Sequence, residues 1–339
     1  MNSMNVISVA SISGRIEYSI GMAYFITLLF AACQTEHAEE RSPENQPSAD
    51  HAQAELDQPE NATIASPTDL LMSALELHQH PEYSAIQDRP SPVEHSTIVL
   101  DTRPEKHYLE GHIPGAINLN VDLTWNTDFT LIPIAEMEQL LGQKGLSQDH
   151  AIVIYDDGSF KNTARMYWIL ESHGHEDLHV LNGGIKSWLA NELPLSTEPT
   201  EYQSTQFIAK VRPEHIATKL TVRQAIDDNR VALIDSRPEA EFKGLVSPLG
   251  RSGKIPSSIN VEWSNITSDN GSYKSLKTPA ELKDVFKDIP EGTEQVIAYC
   301  NKGKQSAVTY LGLKTMGYTV AAYDGSWYEW SKDPSLPVE

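Results

Sequence analysis

The chain repeats itself, and four landmarks recurring in one order restrict the fold to two copies of a single arrangement. Asp101-Thr102-Arg103-Pro104-Glu105 returns as Asp235-Ser236-Arg237-Pro238-Glu239. Ile113-Pro114-Gly115-Ala116-Ile117-Asn118 returns as Ile255-Pro256-Ser257-Ser258-Ile259-Asn260. Ile152-Val153-Ile154-Tyr155-Asp156 is answered by Val296-Ile297-Ala298-Tyr299-Cys300, and Leu181-Asn182-Gly183-Gly184 by Tyr323-Asp324-Gly325-Ser326. The second copy is longer after its first landmark, which places an insertion near Gly244 to Gly253. A chain of 339 residues has room for two such domains, each with its own core.

Within each copy, short apolar runs alternate with helical patterns. Thr97-Ile98-Val99-Leu100, Ile152-Val153-Ile154 and Val231-Ala232-Leu233-Ile234 are continuously apolar, as strands buried on both faces are. Thr278-Pro279-Ala280-Glu281 has the form of a capping box with proline at the first helical position. Ser66-Pro67-Thr68-Asp69-Leu70-Leu71 reads as the first helix start of the patterned region. The alternation predicts an α/β fold with a mostly parallel sheet in each copy. Ligands of such sheets meet the carboxyl ends of the strands, and Cys300 follows one.

The segment before the repeats is of another kind. Arg15 precedes the apolar stretch Ser19 to Ala32, which is short for a bilayer span and suits the core of a signal peptide. It runs into Leu28-Leu29-Phe30-Ala31-Ala32-Cys33-Gln34, which resembles the lipobox of bacterial lipoproteins, with Phe30 departing from the usual leucine. That resemblance implies a cleaved leader over 1–33, a lipid on Cys33 and a periplasm-facing protein anchored in the bacterial envelope. Gln34 in place of aspartate implies the outer membrane. The alternatives are a signal peptide with a chance cysteine and an uncleaved anchor. Residues 34–65 are rich in Glu, Ala, Gln, Asp and Pro with almost no large apolar side chains, so they read as a flexible acidic tether. The domains are then expected at 66–200 and 201–339. A net charge of −21 argues against a nucleic-acid partner, because phosphate binding needs a basic surface.

The chain has two cysteines, and with Cys33 lipidated Cys300 is the sole free thiol. It stands in Tyr299-Cys300-Asn301-Lys302-Gly303-Lys304-Gln305-Ser306, between a strand end and a helix start. Helix amides favour anions there, and Lys302 and Lys304 add positive charge. Neither cysteine has zinc-ligand spacing, and His173-Gly174-His175 reads as a helix C-terminal turn with Gly174 as the stop. No metal and no cofactor are implied. Phosphoryl transfer on a Cys-x5-Arg loop needs an arginine fork, and Ser306 occupies that place after Gln305.

Taken together, the Asp-x-Arg turn, the Ile-Pro-Gly-Ala segment, the Cys-x-x-Gly loop and the closing Tyr-Asp-Gly-Ser-Trp-x-Glu-Trp resemble the two-domain rhodanese sulfurtransferases, over roughly Ser66 to Glu339. The resemblance implies two tandem rhodanese-like domains, each a mostly parallel sheet flanked by helices on both faces. It implies that the Cys300 thiolate takes sulfur from thiosulfate as a persulfide and passes it to cyanide or a thiol. The partners are therefore a small-molecule sulfur donor and acceptor; the sequence does not name a protein partner. Asp156 stands at the cysteine's place in the first copy, so no persulfide is expected there. Lys302 is typical of thiosulfate enzymes, where mercaptopyruvate enzymes carry serine, and Asn301 departs from an arginine common beside the cysteine. Lys304 is expected either to replace that charge or to point to solvent. Arg165 matches an arginine that reaches the substrate cleft, and Asn301, Gly303, Gln305 and Ser306 supply loop backbone. Asp101 and His112 match a relay pair of mercaptopyruvate enzymes; without the loop serine they read as structural. Asp235 and Arg237 read as loop braces, and Trp327 and Trp330 as core aromatics. The alternatives are a 3-mercaptopyruvate sulfurtransferase and a non-catalytic sulfur-carrier lipoprotein of the envelope.

Overall fold

Continuously apolar runs bounded by turns become interior strands in the computed structural model, which describes residues 70–83, 97–200 and 202–339. The leader, Cys33 and the tether lie outside the described residues. The first sheet is built from β1 (Leu71–Met72), β2 (Thr97–Asp101), β3 (Ile117–Asn118), β4 (Ala151–Tyr155) and β5 (Leu178–Leu181). Its order is β1-β5-β4-β2-β3, with every pair parallel. The second sheet uses β6 (Ile216–Ala217), β7 (Val231–Asp235), β8 (Ile259–Asn260), β11 (Gln295–Tyr299) and β12 (Val320–Tyr323) in the order β6-β12-β11-β7-β8, again all parallel. Between them β9 (Thr267–Asp269) and β10 (Lys274–Leu276) form an antiparallel hairpin. The middle strands are β4 and β11, so Asp156 and Cys300 emerge at equivalent places, at the carboxyl end of each sheet's centre.

Alternate residues of each strand serve different cores, which is why these runs are apolar throughout. Ile98, Leu100, Ile152 and Ile154 point one way, while Val99, Val153 and Tyr155 point the other, onto Ala74, Leu77 and Trp188. The second sheet divides likewise, with Leu233, Ile297 and Tyr299 facing Trp327 and Trp330. The inner faces of both sheets merge into one core that holds Ile152, Ile154, Val296, Leu311 and Leu313. Two helices of equal length cross this shared core, Lys161–Ser172 and Lys304–Thr315, each buried nearly all round. They are the helices that follow Asp156 and Cys300.

Polar bonds join the domains in matched fashion. Asn182 Oδ1 accepts from Leu276 N at 2.9 Å, and Asp324 Oδ2 accepts from Leu131 N at 2.8 Å. Glu171 on the first central helix takes the Tyr310 hydroxyl at 2.5 Å and the Lys314 ammonium at 2.7 Å from the second. The capping box at Thr278 is present, with Glu281 Oε2 accepting from Thr278 N at 2.8 Å. Gly174, at φ +91°, follows the helix ending at Ser172 as its stop. One expectation is corrected. Leu71–Met72 is an edge strand on β5, and the first helix among the described residues starts at Ala74, where Ser73 and Glu76 form the capping box; Ser66 to Asp69 lie outside the described residues.

Candidate active site

The residue before Cys300 is fixed by a buried ion pair. The Asp235 carboxylate ends β7 and accepts from Arg237 Nε at 2.9 Å and Nη2 at 2.6 Å, and from the Tyr299 hydroxyl at 2.8 Å. Tyr299 is the last residue of β11; its oxygen also accepts from Ile255 N at 3.2 Å. Arg237 Nη2 donates on to Gly253 O at 2.8 Å, and Asn260 Nδ2 bonds the carbonyls of Asp235 and Arg237. The first copy repeats this brace, except that Ala116 stands where the Ser258 hydroxyl meets the Tyr299 oxygen at 3.0 Å. Asp101 holds Arg103 and the Tyr155 hydroxyl (2.6 Å), Ile113 N meets Tyr155, and Arg103 reaches Gly111 O. Burial, reinforced by the adjacent aspartate's charge, pushes both tyrosines well above their ordinary pKa, so they act as neutral donors. His112 serves its own corner. Its ring stacks on Tyr108 at 3.8 Å and bonds Tyr108 O and Glu198 O.

Beyond the brace the copies diverge. The first loop is one residue longer, and its backbone amides turn onto the Asp156 carboxylate. Gly158 N donates at 2.8 Å, Asn162 N at 3.1 Å, Phe160 N at 3.3 Å and Thr163 N at 3.4 Å. Burial, with Asp157 next to it, nevertheless raises the Asp156 pKa above the usual carboxylate value. In the second loop Cys300 is 1 % exposed. Gly303 N donates to its Sγ at 3.1 Å, and the Ser306 hydroxyl lies 3.5 Å from the same Sγ. Gly303 has φ +86°, and a β-carbon there would lie 2.4 Å from Arg165 Nη1, so the loop closes only around glycine.

Cys300 opens onto a cavity of about 460 Å3. The first domain contributes Trp125 and Lys161, the insertion of the second copy contributes Pro248 and Leu249, and the loop contributes Asn301, Lys302, Lys304 and Gln305. Its charged lining is therefore three lysines and no carboxylate. The Lys302 ammonium sits 3.8 Å above the Phe129 ring and 5.9 Å from the Tyr328 ring. Lys161 stacks over Trp263 at 5.2 Å. Lys304 lies over Trp125 at 4.8 Å and pairs with Asp122 at 2.6 Å, so it neither points freely to solvent nor offers an uncompensated charge. Asn301 Nδ2 donates to Glu241 Oε2 at 2.8 Å, which ties the loop back to the helix after the Asp235 turn.

Arg165 lies directly behind the Cys300 loop, beside Gly303 and against the cavity-lining Trp125. It is fully buried, with Nη1 on Asp324 Oδ1 at 2.7 Å, its guanidinium against Trp125 and Trp168, and Nε and Nη2 without a hydrogen-bond partner among the described residues. It backs Gly303 from behind. Trp327 and Trp330 pack in the outer core. Three features escaped the sequence reading: Lys161, the Ser306 hydroxyl and the Asp122 counter-charge. Lys161 carried a signal, since it opens its helix as Lys304 opens the equivalent one.

The sequence model of the rhodanese-like domain matches residues 80–191 and again 218–333. A putative thiosulfate sulfurtransferase of Haloferax volcanii is 36% identical over 245 residues, covering 68% of this chain and 84% of the relative. The 3-mercaptopyruvate sulfurtransferase of Escherichia coli K12 is 31% identical over 250 residues, covering 70% and 87%. The thiosulfate sulfurtransferase of Pseudomonas aeruginosa is 31% identical over 250 residues, covering 71% and 90%. Among solved structures, wild-type EanB superposes with a TM-score of 0.69 at 21% identity, over 81% of this chain and 70% of that one, a likeness of fold.

The twin braces give a matched test. Tyr155→Phe and Tyr299→Phe each remove a buried hydroxyl that donates to an aspartate and accepts a backbone amide, Tyr299 also meeting Ser258, and should each cost about 1–3 kcal/mol by denaturant titration. Only Tyr299→Phe should slow alkylation of Cys300. Equal alkylation rates in both variants would show that the brace does not govern the loop.

Proposed function

The chain belongs to the rhodanese-like family, and from that premise we propose that it is a sulfurtransferase drawing sulfane sulfur from thiosulfate through a persulfide on Cys300. One observation carries the proposal. The sole described thiol faces a cavity whose lining carries Lys161 and Lys302 beside the Asp122-paired Lys304, in a chain of net charge −21. A cationic cavity on so acidic a protein suits a small dianion.

The reaction starts from the thiolate. Sγ attacks the outer sulfur of thiosulfate; an S–S bond forms, the bond to the sulfonate sulfur breaks, and its electron pair leaves on sulfite. A thiolate or cyanide then attacks the terminal sulfur, and the Cys300 Sγ recovers the electron pair of the broken S–S bond. Gly303 N and the Ser306 hydroxyl are aimed at Sγ, where negative charge resides at both ends of the cycle. The first loop supports this electrostatic reading from inside the molecule, because four amides of its similar turn converge on a carboxylate. With that anion built in, and no sulfur, the first loop has no transfer chemistry of its own.

The choice of donor rests on charge. Thiosulfate carries two negative charges and 3-mercaptopyruvate one carboxylate, so the lysines favour the former. Lys302 has no carboxylate partner among the described residues, which leaves its charge for a donor. The relative named 3-mercaptopyruvate sulfurtransferase keeps that donor as the second reading. The test is the ratio of kcat/KM for the two donors in wild type and Lys302→Ser. The variant should lose about tenfold on thiosulfate, equivalent to about 1.4 kcal/mol, and less on 3-mercaptopyruvate. A wild-type preference for 3-mercaptopyruvate, or a ratio unmoved by the substitution, contradicts this assignment.

We further propose that Cys33 carries the lipid that anchors the protein in the bacterial envelope, facing the periplasm and held at the outer membrane, on the strength of Ala31-Ala32-Cys33-Gln34 after an apolar stretch. In cell fractions, Cys33→Ser should leave the membrane pellet for the soluble fraction. Retention of that variant in the pellet with an unprocessed N-terminus favours an uncleaved anchor instead.

A further inference from the structure

Ser326 is a fully buried serine in the left-handed backbone region, at φ +50°. A non-glycine residue bears steric strain there that glycine does not. The repeat supplies the comparison. Gly184 holds the equivalent turn in the first copy at φ +56°, and a β-carbon on it would lie 2.5 Å from Asp156 O and 2.7 Å from Gly158 N. In the second copy the loop is one residue shorter, and the side chain fits. The fold therefore accepts glycine at this turn, and the second copy carries a strained serine in its place.

The hydroxyl is fully engaged. Ser326 Oγ accepts from Cys300 N at 3.3 Å and donates to Tyr323 O at 2.8 Å. The next residue takes the other backbone group of the cysteine, since Trp327 N donates to Cys300 O at 2.9 Å. The first copy keeps the second bond, Ile185 N to Asp156 O at 2.9 Å, but Gly184 has no side chain to make the first. Both peptide groups of Cys300 are thus held by one turn of the chain, and with them the direction in which Cα projects the sulfur. That direction puts Sγ at 3.1 Å from Gly303 N and 3.5 Å from Ser306 Oγ.

We infer that Ser326 is a positioning residue for Cys300: its hydroxyl fixes the cysteine's amide so that the sulfur stays aimed at its two donors, and the left-handed strain is retained for that bond. The inference rests on the reading of Cys300 as the sulfur-carrying nucleophile. It also separates the copies functionally, because the turn that merely closes the first domain orients the reacting residue in the second.

Two variants separate positioning from packing. Ser326→Ala removes the hydroxyl and keeps the strained β-carbon; Ser326→Gly removes both, so it should have the higher Tm of the two. If Ser326 positions the cysteine, both variants form the persulfide about tenfold more slowly than wild type in single turnovers at saturating thiosulfate, whatever their Tm, because a small displacement of the nucleophile suffices. KM changes little, and the pH midpoint for alkylation of Cys300 moves in both. If the serine only fills space, the Ser326→Gly rate recovers toward wild type along with its Tm and the alkylation midpoint stays put; that result overturns the inference. The alkylation measurement needs no sulfur donor. Should wild type form no persulfide with any sulfane donor, the sulfurtransferase reading falls while the alkylation midpoints still decide the role of Ser326.

Discussion

A carboxylate taken out of water at the end of a central strand needs its charge answered at once, and Asp235 is answered by Arg237 and Tyr299 together. Such a pair adds little net stability, because the attraction is spent against desolvation of both ions. Its effect is geometric. It decides where β7 stops, which way the chain leaves, and where the last residue of β11 sits. The loop of Cys300 begins one residue later, so its position is inherited from an ion pair buried below it. That Asp101, Arg103 and Tyr155 rebuild the same arrangement in a domain with no cysteine shows the brace to be a property of the fold.

What the two copies do with the same starting point is settled by a residue type and a residue count. The first loop spends its amides on an internal carboxylate. The second is shorter, closes around Gly303, and leaves sulfur under a hydroxyl and an amide at the floor of a cavity. The first domain supplies walls: Trp125 and Lys161 line the cavity, Phe129 carries the Lys302 ammonium, and Asp122 holds Lys304. Arg165 closes the arrangement from behind, joining the first central helix to Asp324 of the second domain beneath the glycine. The shared core between the two central helices keeps these parts in register.

Much of this was legible in the sequence because it is local. Apolar runs, the Asp-x-Arg turns, the capping box at Thr278 and the place of Cys300 after a strand are decided by neighbours in the chain. The residues whose surroundings the sequence left open are those whose partners lie in the other domain. Nothing near Lys304 announces Asp122, and nothing near Arg165 announces Asp324, so neither ion pair could be read from the sequence. The edge strand at Leu71–Met72 was hidden by a partner distant in sequence within its own domain, since two residues acquire strand character only from β5 beside them. Ser326 stood in a motif already noticed, but its significance needed a backbone angle and its glycine twin.

The central claim is that Cys300 carries sulfur and that its counterpart loop does not. Intact-mass measurement of the full chain after incubation with thiosulfate tests it most directly. The account predicts a gain of one sulfur atom, removed by cyanide, absent in Cys300→Ser and retained in Asp156→Ala. No gain in wild type with any sulfane donor, or a gain that survives in Cys300→Ser, would contradict it.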